Sequence, residues 1–241
     1  MLRTHARVEA SLTLRHGEQV LLTLLIPLAL LIGLSLLDIL PASQLGSTSK
    51  VDWITPRILA LAVMSSAFTG QAIALGFDRR YGVLKRLSAT ALPRWLLVAG
   101  RLIAALVVVL LQAVVIGVVA AFLGWSPSLS GLLSAVLLLV LGTLAFGALG
   151  VLLGGALRAE AVLALANIVW FVLLLAGGIL LAPSALPSGM AVVVELLPSG
   201  ALAEGMRAAL VDGSFALGPM AVLVVWAVLA GALATRTTKL T

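Results

Sequence analysis

The stretch Phe77–Trp95, FDRRYGVLKRLSATALPRW, lies between two long apolar segments, and the reading of the chain turns on it. It holds five of the fifteen Lys and Arg residues: Arg79, Arg80, Lys85, Arg86 and Arg94. A loop this basic stays on the cytoplasmic side of a membrane. It is also short and patterned, which fits docking into a soluble partner. The expectation is a membrane protein that is driven from the cytoplasm.

Composition agrees. The 241 residues are 62% hydrophobic and 10% charged, with a mean hydropathy of +1.24. A soluble domain sits nearer half apolar and a quarter charged, so this chain has too little polar surface to cover a core in water. The formal charge of +6 is gathered in short loops rather than along a nucleic-acid-binding face. Cysteine is absent, which excludes disulfides and thiolate metal sites.

Six segments have the roughly 20 apolar residues that a spanning helix needs: Val20–Leu40, Ile58–Phe77, Leu96–Leu123, Leu132–Leu157, Ala161–Leu181 and Phe215–Ala234. The first is too long for a signal-peptide core and is expected to be retained. The segments are apolar all round and lack the alternation of barrel strands, so helix is the expected state. With both ends inside, the cytoplasmic pieces hold twelve Lys and Arg residues and the outer pieces three: Lys50, Arg57 and Arg207. That bias predicts an even number of spans and cytoplasmic termini.

The connections differ in kind. Pro41–Pro56 reads as a polar outer loop with Trp53 as an interfacial anchor. WSPSLSG after the third span reads as a tight outer turn, and Arg158-Ala-Glu160 as a solvated inner hairpin tip. Residues 182–213 contain two pieces too short to span, Met190–Leu197 and Ala201–Val211, separated by Pro198-Ser199-Gly200. Such pieces are expected to be re-entrant or interfacial. In the second, Leu202, Met206 and Leu210 share a helix face, and Glu204 can pair with Arg207. A surface loop with one amphipathic helix is the plainer alternative. Residues 1–19 place Arg3, Arg7, Ser11 and Arg15 at four-residue spacing, which predicts an interfacial helix on the inner leaflet. The other reading is a charged flank that only sets orientation.

Catalytic signals are missing. Lys50, Lys85 and Lys239 all lack a phosphate-binding glycine loop. His5 and His16 lie far from any carboxylate cluster, which excludes a serine–histidine pair. Asp38 and Asp78 sit at span ends rather than mid-span, which argues against proton- or sodium-coupled transport within the chain. Uncharged polar residues do occur inside: Ser65, Ser66, Thr69 and Gln71 in the second span, Gln112 in the third, and Asn167 near Trp170 in the fifth. They read either as interhelical packing or as a substrate path of low charge selectivity. Gly150 and Gly154 form a GxxxG pair, so close helix packing is expected around the fourth span.

Six spans, an inner N-terminal helix, a basic loop after the second span and a broken outer hairpin before the last together resemble the ABC-2 type permeases. These are membrane subunits of bacterial ATP-driven exporters. The family's loop reads acidic-Arg-x-x-Gly-Thr-Leu-x-x-Leu-x-x-Thr-Pro. Asp78, Arg79, Gly82, Leu84, Leu87 and Thr90 fit it. Arg80 and Tyr81 depart at the second acidic position, and Thr90 is followed by Ala91, with Pro93 later. The stretch from Leu197-Pro198-Ser199 to Arg207 matches the family's proline, apolar turn and arginine before the last span.

The resemblance covers nearly the whole chain, most closely the short drug- and antibiotic-export permeases. It implies an all-α type V exporter fold: one transmembrane domain over residues 1–241, a coupling loop at 78–95 and a re-entrant outer hairpin at 182–213. Docking to the ATPase would use Arg79, Arg80, Gly82, Leu84, Lys85, Arg86, Leu87 and Thr90. The substrate path would involve Ser65, Ser66, Thr69, Gln71 and Asn167. The outer gate would involve Glu195, Pro198, Glu204 and Arg207. The implied partners are two copies of a cytoplasmic ABC ATPase, a second or homologous permease, and membrane lipids, with no nucleic acid. ATP and Mg would be bound by the ATPase, leaving this chain without a cofactor, metal or catalytic residue. The implied location is the bacterial plasma membrane, with amphiphilic drugs, antibiotics or lipids as cargo. A non-transporting membrane scaffold or immunity-type protein is the alternative.

Overall fold

The structure is a computed structural model that describes residues 17–37, 48–83, 94–181, 183 and 186–237. The regular elements are helical throughout the described residues. We number them α1 (Gly17–Leu36), α2 (Lys50–Arg80), α3 (Arg94–Phe122), α4 (Leu132–Ala156), α5 (Ala159–Ala176), α6 (Ser188–Leu196), α7 (Pro198–Leu210) and α8 (Leu217–Thr237). By length and composition, α2, α3, α4, α5 and α8 can each cross a membrane. Helix α1 has 20 residues, of which Thr23–Leu36 form an apolar run. Gly17–Gln19 belong to this helix rather than to a separate N-terminal one. Residues 1–16, with the expected interfacial helix, lie outside the described residues, as does Asp38.

Helix α2 is the inner element. Its most apolar window is 72% buried, against 33% for α3 and α5 and 22% for α8. It packs on α1, α3, α4, α5 and α7, while α4 packs on α2, α3, α7 and α8. The contact between α2 and α4 rests on glycine. A Cβ on Gly150 would stand 2.6 Å from the Phe68 carbonyl oxygen, and one on Gly154 would stand 2.5 Å from that of Ala72. The GxxxG pair therefore brings two backbones of this chain together, as expected for small residues in apolar helices. At this seam α2 takes π-helical form over Met64–Gly70, a rare conformation concentrated at functional sites. Phe68 meets Phe146 there, with ring centroids 6.5 Å apart.

The second span is longer than expected. The proposed outer loop Pro41–Pro56 ends inside α2, which begins at Lys50. Ser49 supplies the cap: its Oγ accepts from the Asp52 amide at 3.1 Å and donates to Asp52 Oδ2 at 2.6 Å. Such a reciprocal cap starts a helix well before apolar periodicity is visible. Pro56 is carried within the helix. Trp53, read as an interfacial anchor, is instead buried inside the chain.

The fifth span is shorter than expected. Helix α5 stops at Ala176, and Gly178 takes φ +86°. A side chain at Gly178 would crowd Val194 and the Gly200 backbone, so the broken hairpin packs against this helix end. Within the hairpin, α6 and α7 meet at 91°. Pro198-Ser199-Gly200 is not a linker but the first turn of α7, with proline in the opening turn, where its missing N–H costs nothing. Leu202, Met206 and Leu210 do share one buried face. The α3–α4 turn joins the far end of α7, with the Ser128 amide donating to the Leu210 carbonyl at 2.8 Å.

Gly150→Ala is expected to destabilise the chain by about 1–3 kcal/mol, because its new methyl meets backbone that cannot move aside. Gly231→Ala, with nothing within 4 Å of the added atom, is expected to be neutral or slightly stabilising. Thermal unfolding of the two variants in the same detergent checks the contrast.

Candidate functional site

Three polar groupings lie along α2, one at each end and one in the middle. The first is at its N-terminal end. Arg57 lies two turns into α2 and its side chain is 3% exposed. Its Nη1 donates to the Trp53 carbonyl at 3.0 Å, one helical turn back. The guanidinium lies 3.9 Å from the centroid of the Trp53 ring, a cation–π contact. Its Nη2 donates to Glu204 Oε1 at 2.9 Å, while its Nε has no hydrogen-bond partner among the described residues. The other Glu204 oxygen accepts from Arg207 Nε at 2.7 Å, and Arg207 Nη1 donates to Asp212 at 2.9 Å. Charges thus alternate along Arg57–Glu204–Arg207–Asp212. The i, i+3 pairing of Glu204 with Arg207 matches the sequence expectation. Arg57, counted there as an outer-loop charge, is instead the buried centre that ties α2 to α7.

Halfway along α2, Ser65 and Ser66 sit in the π-helical turn. Ser65 Oγ accepts from Trp170 Nε1 at 2.9 Å, and Ser66 Oγ donates to Gln112 Oε1 at 2.7 Å. Gln112 Nε2 in turn donates to Thr23 Oγ1 at 3.0 Å. These side chains join α1, α2, α3 and α5. Thr69 Oγ1 is buried without a hydrogen-bond partner among the described residues, and Gln71 is half-buried on the next turn. Asn167 is not brought to this group: it is exposed and donates to its own helix at the Leu163 carbonyl, 2.8 Å away.

At the C-terminal end of α2 Asp78 pairs with Arg101. Arg79 Nη1 donates to the carbonyls of Gly154, Gly155 and Leu157, at 3.2, 2.6 and 3.1 Å. A cation there satisfies orphan acceptors and complements the dipole at the C-terminal end of α4. Arg80 pairs with Glu160 in the first turn of α5, so the inner hairpin tip is tied to α2 rather than merely solvated. Gly82 takes φ +69° and closes α2. A cleft of about 430 Å³ opens here, lined by Arg79, Arg80, Arg158 and Glu160 among others. Leu84, Lys85, Arg86, Leu87 and Thr90 lie outside the described residues.

Of the residues expected at an outer gate, Glu195, Glu204 and Arg207 line a second cleft of about 430 Å³ between the hairpin and α8. Pro198 is buried in the opening turn of α7. Two features escaped sequence reasoning. Arg57 was legible in principle: the Ser49–Asp52 cap places it two turns into a helix, where a lone charge demands a partner. The π-helical turn has no comparable signal. Among the described residues no group of three or more His, Asp or Glu is placed to hold a metal ion.

The family model for ABC-2 type transporter matches residues 6–211. The match covers most of the chain, which therefore belongs to the ABC-2 type transporter family as a transporter membrane subunit. No curated protein matches the chain.

Glu204→Ala is expected to cost about 3–5 kcal/mol, because it strands the buried Arg57 charge. Adding Arg57→Met should recover most of that loss, since the apolar pair no longer needs a counter-charge. A double-mutant cycle on thermal unfolding measures the coupling.

Proposed function

We propose that this ABC-2 type transporter chain is the permease half of an ATP-driven exporter that moves amphiphilic molecules outward across the bacterial plasma membrane. Six spans, α1 to α5 and α8, cross the bilayer, and both termini lie inside. Two copies, or one copy and a homologous chain, enclose the path. Two cytoplasmic ATPase subunits bind ATP and Mg and hydrolyse the nucleotide.

The observation that carries this reading is the continuity of α2. Its 31 residues measure roughly 46 Å at 1.5 Å per residue. The helix therefore runs from the basic loop at the inner surface to the buried Arg57 near the outer one. The loop that follows it, with Leu84 and Leu87 as apolar contacts and Arg79, Arg80, Lys85 and Arg86 around them, is the docking segment. Movement imposed there reaches the hairpin through one rigid element whose far end is clamped to Glu204. That is the structural requirement for a rigid-body switch between inward and outward access. The π-helical turn and its Ser65–Trp170 and Ser66–Gln112 contacts lie between the two ends, beside the proposed path. The hairpin with Glu195, Pro198, Glu204 and Arg207 is the proposed outer gate.

Docking is tested with Leu84→Asp and Leu87→Asp in the complex purified from native membranes. A carboxylate placed in an apolar contact costs a few kcal/mol, so co-purification of the ATPase should fall by about tenfold or more. The permease should still insert, because the loop keeps its positive charge. Wild-type co-purification together with intact transport would refute the docking assignment.

Orientation is tested by single cysteines, exploiting the chain's lack of native ones. An impermeant thiol reagent on intact cells should label Ser188→Cys and Asp212→Cys. It should reach Ser88→Cys and Thr238→Cys only after the cells are opened. Labelling of Thr238→Cys in intact cells would overturn the six-span arrangement.

A further inference from the structure

We infer that the outer cleft between the hairpin and α8 is a binding site for a phospholipid with a primary ammonium headgroup, anchored on Glu195. The inference deepens the export reading and rests on it only for placing the hairpin at the outer surface. The cleft holds about 430 Å³ and is lined by Glu195, Leu196 and Val192 from α6, Glu204 and Arg207 from α7, and Val222 from α8.

Charge selects the headgroup. Both Glu204 oxygens are occupied, one by Arg57 and one by Arg207, and Asp212 is held by Arg207. Glu195 is exposed and forms no hydrogen bond or ion pair among the described residues. Counting these five groups, three carboxylates face two guanidiniums, which leaves one net negative charge centred on Glu195. An ammonium group neutralises it and donates N–H bonds to the carboxylate, a charge-assisted contact. An anionic headgroup meets repulsion instead. Arg207 uses Nε and Nη1 internally, and its uncommitted Nη2 offers one donor on the same cleft for the adjoining phosphate oxygen.

Shape and depth select a lipid over a soluble amine. Val192 and Leu196 are 56% and 57% exposed, so the cleft has an apolar flank open to the surroundings of the chain. Val222 lies five residues into α8, about 7.5 Å along the helix from its outer end. An amphiphile in this cleft keeps its charge beside Glu195 and its chains along Val192, Leu196 and Val222. The 91° break between α6 and α7 turns α6 out of the line of α7, and the cleft is lined from both helices and from α8.

Native mass spectrometry of the detergent-purified chain, without ATPase or nucleotide, tests the inference. The probes are phosphatidylethanolamine, phosphatidylcholine and phosphatidylglycerol of identical acyl chains. Retention should be strongest for phosphatidylethanolamine, weaker for phosphatidylcholine, which has no N–H to donate, and weakest for phosphatidylglycerol. Glu195→Gln should weaken phosphatidylethanolamine binding by about tenfold and abolish the ranking, while Glu195→Asp retains part of it. Unfolding temperatures of both variants should stay at the wild-type value, since the side chain is exposed. Equal retention of the three lipids by the wild type would overturn the inference, as would a ranking that survives Glu195→Gln. Tighter binding of a phosphate-free cationic amphiphile, insensitive to Arg207→Gln, would also overturn it, in favour of a plain cation site. Because no transport is measured, failure here leaves the export reading standing, and failure of ATPase docking leaves this site standing.

Discussion

Arg57 can be buried only because Glu204 reaches it. A guanidinium at an apolar helix surface carries a desolvation penalty of several kcal/mol unless an opposite charge and hydrogen bonds surround it. Here the Trp53 carbonyl, the Trp53 ring and the Glu204 carboxylate do so. The position of Glu204 then constrains the hairpin. Helix α7 must lie against the outer part of α2, and α6 must turn away from it at a steep angle. That turn is possible because Leu197 leaves helical geometry, Pro198 opens the next helix, and Gly200 tolerates the Val194 carbonyl, which would stand 2.0 Å from a Cβ there. The outer architecture follows from accommodating one charge.

The same helix is held differently along the rest of its length. In lipid, helices gain nothing by hiding apolar surface from one another, so association depends on close packing and on polar contacts. The α2–α4 seam uses the first, through Gly150 and Gly154. The π-helical turn uses the second, through Ser65 with Trp170 and Ser66 with Gln112. None of these groups is ionisable. An energy source outside the chain fits this arrangement, and membership of the ABC-2 type transporter family points the same way.

Much of this was legible in the residues. Apolar length gave five of the six expected spanning segments, those of α2, α3, α4, α5 and α8, because a bilayer imposes a minimum helix length that composition reveals; the described apolar run of α1, Thr23–Leu36, is shorter than that minimum. Helical spacing gave the buried face of Leu202, Met206 and Leu210 and the Glu204–Arg207 pair, since both are local. Long-range partners were not legible: nothing near position 57 announces Glu204, 147 residues away. Counting Arg57 as a loop charge followed from starting the second helix at the first apolar residue, although the Ser49–Asp52 cap marks its true beginning. Asn167 was grouped with Ser65 and Ser66 by polarity, yet its place on α5 turns it outward, a matter of helix rotation that a short apolar segment leaves undetermined. The GxxxG pair named a close approach without naming the helix that makes it.

The two ends of α2 differ in how readily they yield. At the inner end, Arg80 and Glu160 are 52% and 66% exposed, and a pair so open to water is worth at most about 1 kcal/mol. Water or a docking protein can replace either partner at little cost. At the outer end Arg57 is nearly sealed, and separating it from Glu204 without a substitute costs several times more. The Arg80–Glu160 pair therefore yields before the Arg57–Glu204 pair, while the Asp78–Arg101 pair and the three carbonyls on Arg79 still hold that end of α2. Glu204 is simultaneously bound to Arg207 and cannot leave Arg57 without leaving a guanidinium buried.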